Sequence, residues 1–234
     1  MLLQPSQTEV ADIIGFIRPI FRQHHGRFDS TKYPDAAYKA FSAAFQTPVK
    51  VLPQHMSDAL IWKYGHSTKR DRSKIPRSHK ALIFRLSAVW QARAGTFVTP
   101  EAAFECLHRT EGVAYITSAF LTHLTFPSKP IIDQHNFRAM NDLLRRVRPG
   151  AKIRLGPPRS YQDLLNLQNF MAAVLGGWPN SDPPCERDFD KFLMAYGKSI
   201  KIKTVRRTKA LPAKNGRGQI NEPPKGSSGT RRTK

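Results

Sequence analysis

The chain has 234 residues, of which 40% are apolar and 10% aromatic, a composition typical of a globular protein with one large domain or two small ones. It carries 38 Lys and Arg against 17 Asp and Glu, for a formal net charge of +21, which predicts a polyanionic partner, above all nucleic acid. No apolar run reaches the roughly 20 residues that cross a bilayer, the N-terminal residues lack the pattern of a secretory signal, and Cys and His are not grouped as in metal or cluster sites. We expect an intracellular protein, in the cytoplasm, nucleoid or nucleus, without metal, cofactor or membrane contact.

Apolar residues recur at spacings of three and four along most of the chain, while alternation of period two is scarce, which predicts an all-α fold. Pro19 should kink or end the first helix. Thr99 is a candidate N-cap, followed by Pro100 at the first helical position. Ser160 and Asp163 form a variant of the capping box. In chain order we expect helices over residues 9–24, 34–46, 54–63, 81–95, 99–110, 116–124, 130–147 with its leading loop, 160–177 and 185–198.

Residues 63–80, KYGHSTKRDRSKIPRSHK, hold seven Lys and Arg and one Asp. Gly65 and Pro76 interrupt this segment, so we expect a loop that follows DNA phosphates, with an ordinary solvated loop as the simpler alternative. Trp62, just before it, is expected in the core. The candidate DNA contacts of this segment are Tyr64, His66, Lys69, Arg70, Arg72, Lys74 and Arg77.

The C-terminal residues 198–234 hold twelve Lys and Arg against one acid, Glu222, and almost no large apolar side chains. This composition predicts a disordered basic tail that adds nonspecific affinity for phosphate by counterion release. The body is basic in its own right, because residues 1–197 keep 26 basic and 16 acidic side chains. We therefore divide the chain into a helical domain over 1–197 and a tail over 198–234.

The stretch EGVAY, between the helices at 99–110 and 116–124, is too short for anything but a tight hairpin. Gly112 marks a place where the backbone needs a positive φ or a close approach. The N–H groups and dipole at the start of the following helix suit a bound phosphate, although a plain αα-hairpin explains the spacing as well. Further along, IIDQHNFRA places Asp133 after two isoleucines, at a position typical of a helix N-cap.

Residues 110–144 resemble the core of the helix-hairpin-helix DNA glycosylase superfamily, which includes endonuclease III. That family shows a hairpin of the form LPGVGxKTA and then V-D-T-H-x-x-R at the start of the next helix, in the order found here. The matching positions are Gly112, Val113 and Ala114 for G-V-G, Thr117 for the hairpin threonine, and Ile132, Asp133, His135 and Arg138 for V, D, H and R.

The resemblance implies an all-helical bundle with a helix-hairpin-helix motif near residues 100–124 and two helical subdomains flanking a cleft. It implies a protein that binds duplex DNA, RNA being the less expected partner, and that hydrolyses the N-glycosidic bond of a modified or mispaired base. The sequence does not determine the oligomeric state, for which we expect a monomer. Asp133 would be the catalytic residue. The implied DNA contacts, with the intervening tyrosine, are Gly112, Val113, Ala114, Tyr115, Thr117, His135 and Arg138.

Two positions depart from the family pattern. Ala114 replaces the second hairpin glycine, which keeps the backbone open to a phosphate but loses the tolerance of glycine for positive φ, so we expect a weaker grip there. Ile116 stands where members that also cut the DNA backbone have a lysine, and an isoleucine cannot form a Schiff base with the sugar C1′. The resemblance therefore implies a monofunctional glycosylase without lyase activity.

A carboxylate at position 133 suits this chemistry. Cleavage of an N-glycosidic bond builds positive charge on the sugar, and a fixed carboxylate stabilises that charge or activates the attacking water. A capping role for Asp133 is compatible, because N–H bonds from a helix start favour a charged carboxylate. His135 could orient a water or contact a phosphate, a surface histidine being the plain alternative, and Arg138 is expected to pair with a carboxylate or a phosphate.

Two rival functions also fit parts of the sequence. A nucleic-acid-binding module that keeps the hairpin scaffold without base chemistry accounts for the departures at Ala114 and Ile116. A structural RNA-binding protein of the ribosomal kind explains the charge, but not the spacing of Asp133, His135 and Arg138. Nothing in the sequence favours an alkylated, an oxidised or a deaminated base.

Removal of residues 198–234 is expected to flatten the salt dependence of DNA binding, because fewer phosphate contacts release fewer counterions. The measurement is the affinity of the full chain and of residues 1–197 for one duplex over a series of salt concentrations. Equal slopes for the two proteins would refute the expected contribution of the tail.

Overall fold

The computed structural model describes residues 4–65, 77–179 and 183–200. Within these ranges every regular element is helical, so the all-α prediction is confirmed, and no described helix is both long and apolar enough to cross a membrane. The helices are α1 (Gln7–His25), α2 (Asp35–Phe45), α3 (Pro53–Lys63), α4 (Arg77–Arg93), α5 (Pro100–His108), α6 (Tyr115–Thr125), α7 (Gln134–Val147), α8 (Tyr161–Gly176) and α9 (Glu186–Ser199), with 3₁₀ turns at Pro48–Lys50 and Ala94–Thr96.

Local signals in the sequence account for several helix ends. Thr99 Oγ1 accepts a hydrogen bond of 3.1 Å from a backbone N–H in the first turn of α5, and Pro100 begins that helix, as predicted. In contrast, α1 continues through Pro19, so of the two predicted effects of this proline, a kink or a helix end, the helix end is excluded. Ile17 before the proline and His24 after it are both buried, and this packing outweighs the backbone hydrogen bond that a proline removes.

Buried apolar side chains form two clusters. The first is built mainly from α1, α7, α8 and α9, and the second mainly from α2, α3, α4 and α5. Helix α6 contributes to both, with Ala119 in the first and Phe120 in the second, and is buried along almost its whole length. A helix that is buried all round lies inside the fold rather than on its surface, so α6 joins the two clusters. Trp62 is buried in the second cluster, as predicted.

Helix α9 packs against α7 with the two backbones in direct contact. At Gly197 of α9 a Cβ would overlap the carbonyl oxygen of His135, in the first turn of α7. Only glycine permits so close an approach. Arg138 Nη1 also donates a hydrogen bond of 3.3 Å to the Gly197 carbonyl. This crossing holds α9 against the turn that follows Asp133.

Gly197→Ala is expected to lower the free energy of unfolding by about 3 kcal/mol, because the new methyl group meets backbone rather than a flexible side chain. Gly15→Ala, in α1, is the matched control: nothing lies within 4 Å of its added Cβ, so helix propensity should raise stability by roughly 0.8 kcal/mol. Urea unfolding followed by circular dichroism measures both changes. A similar effect for the two variants would contradict the close α7–α9 contact.

Candidate functional site

The connection between α5 and α6 contains the predicted turn at Gly112. The backbone there has φ +75°, so the predicted need for a positive φ is confirmed. Arg85 of α4 donates a hydrogen bond of 2.7 Å from Nη1 to the carbonyl oxygen of Glu111, which braces the turn from outside. Ala114 has φ −75°, a value that any residue adopts. The loss of glycine at this position therefore causes no strain.

The first turn of α6 leaves backbone donors free. Within the described part of the chain, the N–H groups of residues 114–116 have no acceptor, and no side chain caps the helix. The side chains of Val113 and Tyr115 are buried in the apolar clusters, and the contact of these two residues with DNA stays a prediction. At these two positions only the backbone can meet a ligand.

Asp133 is the N-cap of α7, as predicted. Its Oδ1 accepts hydrogen bonds from the N–H groups of His135, at 2.6 Å, and Asn136, at 2.9 Å. The Asn136 side chain returns a bond, since its Oδ1 accepts from the Asp133 N–H at 2.7 Å. Oδ2 of Asp133 has no hydrogen-bond partner among the described residues. One carboxylate oxygen is thus fixed by the helix and the other is available.

Asp133, which carries this available oxygen, lines a cavity of about 660 Å³. The walls come from α3, α4, α7 and α9, from the start of α6, and from the segment before α2. Asp133 and Gly112 line the same cavity, so the structure brings the two parts of the sequence motif together. A space of this size holds a small organic ligand. Its aromatic lining residues are Phe28, Tyr33, Trp62 and Tyr64.

A buried amide connects Asp133 to α9. Asn136 Nδ2 donates to the carbonyl of Ile131 and, at 3.1 Å, to Asp190 Oδ1. Asp190 is buried and lines the cavity. Burial raises its pKa to about 6, although Arg187 and the Asn136 bond favour its charged form. Asn136 thereby fixes the loop before Asp133, the cap itself and a second carboxyl group.

Arg187 occupies the wall of the cavity between aromatic rings. Its guanidinium carbon lies 5.2 Å from the ring centre of Tyr38 and 5.5 Å from that of Trp62. Nη1 donates to Asp190 at 2.9 Å, and Nη2 to Asp35 at 3.2 Å. With its charge neutralised on both sides and its plane against aromatic faces, Arg187 joins α9 to α2 and α3.

Lys63, the last residue of α3, also lines the cavity. Its Nζ lies 5.3 Å from the ring centre of Phe120, and within the described ranges it has neither a hydrogen bond nor an ion pair. Burial lowers the pKa of this ammonium group, while the charges of Asp133 and Asp190 act in the opposite direction. Lys63 is not among the predicted site residues, although it stands directly before Tyr64 and opens the cationic segment 63–80.

Of the other residues predicted to contact DNA, some line the cavity and one does not. Tyr64 and Thr117 both line the cavity and share a hydrogen bond of 3.1 Å between their hydroxyl groups. His135 lines it too, and burial lowers the pKa of its imidazole, which favours the neutral form. Arg138 is not among the residues that line the cavity, and its guanidinium donates to the Gly197 carbonyl. Its expected pairing with a phosphate stays a prediction.

The predicted cationic loop is described only at its ends. Arg77 is exposed and begins α4, so residues 77–80 form a helical turn rather than part of a loop. The remaining predicted contacts lie outside the described residues; they are His66, Lys69, Arg70, Arg72 and Lys74. The tail beyond residue 200 lies outside them as well.

No protein-family model, no curated protein and no solved structure matches the chain. Among the described residues, no three His, Cys, Asp or Glu side chains are grouped so as to hold a metal ion. Function must therefore be inferred from the cavity and the residues that line it.

Asp133→Ala is expected to lower the free energy of unfolding by about 1 kcal/mol, because the first turn of α7 loses its cap. Asp133→Asn should leave stability almost unchanged, because asparagine caps helices as well as aspartate does. Thermal and urea unfolding measure both effects. Equal losses for the two variants would show that the charge, rather than the capping geometry, stabilises the fold.

Proposed function

We propose that the protein binds duplex DNA and removes a modified or mispaired base, with Asp133 as the essential carboxylate. The observation that supports this most directly is the arrangement of Asp133. One oxygen accepts two backbone N–H bonds, and the side chain borders the cavity of about 660 Å³ that Gly112 also lines. A carboxylate that is fixed before the reaction begins can stabilise developing positive charge without reorganising.

The reaction requires few groups from the protein. As the bond between C1′ and the base nitrogen breaks, its electron pair leaves with the base and positive charge develops on the sugar ring. Asp133 stabilises that charge, and it accepts a proton from the water that adds to C1′. His135, whose imidazole borders the same cavity, is suited to orient that water. The products are the free base and an abasic site.

The aromatic side chains of the cavity suit a base turned out of the helix. An enzyme that acts on a base within a duplex must extrude it, and such pockets hold the base by stacking and by hydrogen bonds to its edge. All three residues line the cavity, but Tyr33 and Tyr64 are partly exposed, whereas Trp62 is buried. We assign the two tyrosines to contact with the base and Trp62 to support of the wall.

The surface beside the cavity suits the DNA backbone. The N–H groups of residues 114–116, which have no acceptor among the described residues, support one phosphate site, since a helix start with free donors attracts anions. Arg77 and Lys80, both exposed in the first turn of α4, add positive charge nearby in the chain. In this proposal residues 112–117 are the hairpin of a helix-hairpin-helix motif, and the two apolar clusters are the subdomains on either side of a cleft.

A non-catalytic DNA-binding module is the second candidate. Ile116, which lies in the cavity wall, favours it, because this position carries the reactive lysine in the members of the resembled family that cut the backbone. A module of this kind would bind duplex DNA through the same surface and would release no base.

Asp133→Asn is expected to lower the rate of base removal by at least roughly a hundredfold, the usual cost of losing a group that stabilises the transition state. The assay incubates wild type and variant with duplexes that carry alkylated, oxidised, deaminated or mispaired bases, and then uses alkali to cut at abasic sites. Asp12→Asn, at an exposed position of α1, is the control for loss of one charge and should retain full activity.

Two results would argue against the proposal in different ways. Full activity in Asp133→Asn would refute the assigned mechanism. Binding of the duplexes by the wild type without release of any base would favour the non-catalytic module.

A further inference from the structure

Asp190 of α9 is the one acidic residue that is buried in the described part of the chain. It lines the cavity that Asp133 lines, and it also lines a second cavity of about 490 Å³. Each carboxylate oxygen has one donor: Asn136 Nδ2 lies 3.1 Å from Oδ1, and Arg187 Nη1 lies 2.9 Å from Oδ2. A buried ion pair adds little stability compared with apolar side chains of the same volume. The packing of the wall therefore does not account for a carboxyl group at this position.

The amide of Asn136 connects Asp190 to the cap of α7. Its Nδ2 donates to Asp190 and to the Ile131 carbonyl, while its Oδ1 accepts from the Asp133 N–H at 2.7 Å. A carboxylate accepts hydrogen bonds but cannot donate them, so it must face the NH2 end of the amide. A reversed amide would set that NH2 group against the Asp133 N–H, donor against donor. The Asp190 carboxylate thus selects the amide orientation that the Asp133 cap requires.

We propose that Asp190 is a positioning residue, which holds the Asp133 carboxylate in its reactive geometry through the Asn136 amide. Its role in catalysis rests on the proposed removal of a base by Asp133. Asn136 is 1% exposed and Asp190 is 6% exposed, and in such surroundings a hydrogen bond to a charged group is stronger than one between neutral groups. Asp190 lies outside residues 110–144, the stretch that resembles the glycosylase family, so that motif does not supply the contact.

The charge of Asp190 makes this role observable. Burial raises the pKa of its carboxyl group to about 6, so Asp190 becomes protonated as the pH falls through that value. A neutral carboxyl group gives up the ion pair with Arg187 and accepts a weaker hydrogen bond from Asn136. The hold on Asp133 should therefore weaken below a pH of about 6. The charged or titratable groups that act on Asp190 or respond to it are Arg187 of α9, Lys63 of α3, Asp133 before α7 and Tyr38 of α2.

Amide NMR of the full-length protein tests the contact without a substrate. The backbone N–H groups of His135 and Asn136, both bonded to Asp133, and the side-chain NH2 of Asn136 report on the cap. We expect their resonances to shift together during a pH titration, with a midpoint near the pKa of Asp190, about 6. Asp190→Asn should abolish this step. His135→Gln should retain it, which would exclude the imidazole as its source.

Kinetics on a substrate from the lesion panel test the consequence for catalysis. Asp190→Asn should lower kcat roughly tenfold or more with little change in KM, because a misplaced carboxylate affects the transition state rather than binding. The fall in kcat at acidic pH should also disappear. Asp142→Asn is the matched control. Asp142 of α7 also bonds to α9, since it accepts from the Tyr196 hydroxyl at 2.7 Å, but it is not among the residues that line the cavity, so this variant should keep the kcat and pH profile of the wild type.

The titration of the wild type needs no substitution, so it decides the question even where Asp190→Asn does not fold. The positioning role would be overturned by cap resonances without a step near the pKa of Asp190, by a step that persists in Asp190→Asn, or by an unchanged kcat in that variant.

The two kinds of measurement separate this role from the proposed function. A shared titration step without release of any base from the lesion panel would retain the contact between Asp190 and the cap and refute the glycosylase. Base release together with cap resonances that do not titrate would do the reverse.

Discussion

The side-chain amide of Asn136 is the contact on which the cavity depends. It is 1% exposed, it accepts from the Asp133 N–H, and it donates to Ile131 and to Asp190. A buried polar group that is satisfied in this way specifies one geometry, because every alternative leaves donors or acceptors unpaired. The loop before α7, the first turn of α7 and the middle of α9 are consequently held in one arrangement. The open oxygen of Asp133 owes its direction to that arrangement.

The charged side chains that line the cavity differ in whether they form ion pairs. Arg187 is neutralised by Asp35 and Asp190, so it supports the wall and offers little to a ligand. Lys63 has no ion pair within the described ranges, and its ammonium group lies against the ring of Phe120 instead. Arg187 and Asp190 are thus the paired charges of the wall.

The sequence predicted the parts of this structure that depend on neighbouring residues. The helical periodicity, the cap at Asp133 and the positive φ at Gly112 follow from spacing within a few positions, and all three are found. Of the kink or end predicted at Pro19, the end does not occur, because packing of distant helices decides whether a helix continues. Asp190 and Lys63 could not be assigned to the site from spacing, since α3 and α9 are far from Asp133 in the chain. At Ala114 the φ of −75° does not require glycine, so the replacement causes no backbone strain, and the weaker phosphate grip expected there stays a prediction.

The cavity is lined by residues that range from Phe28 to Lys198, and its wall is tied by the Arg187–Asp35 pair, whose members lie 152 positions apart. No contiguous fragment that stops short of α9 contains the site. During synthesis, the pairing of Asp190 with Asn136 must wait until α9 has left the ribosome. A nascent chain that already contains Asp133 and Lys63 therefore lacks, until α9 has emerged, one wall of the cavity that both residues line.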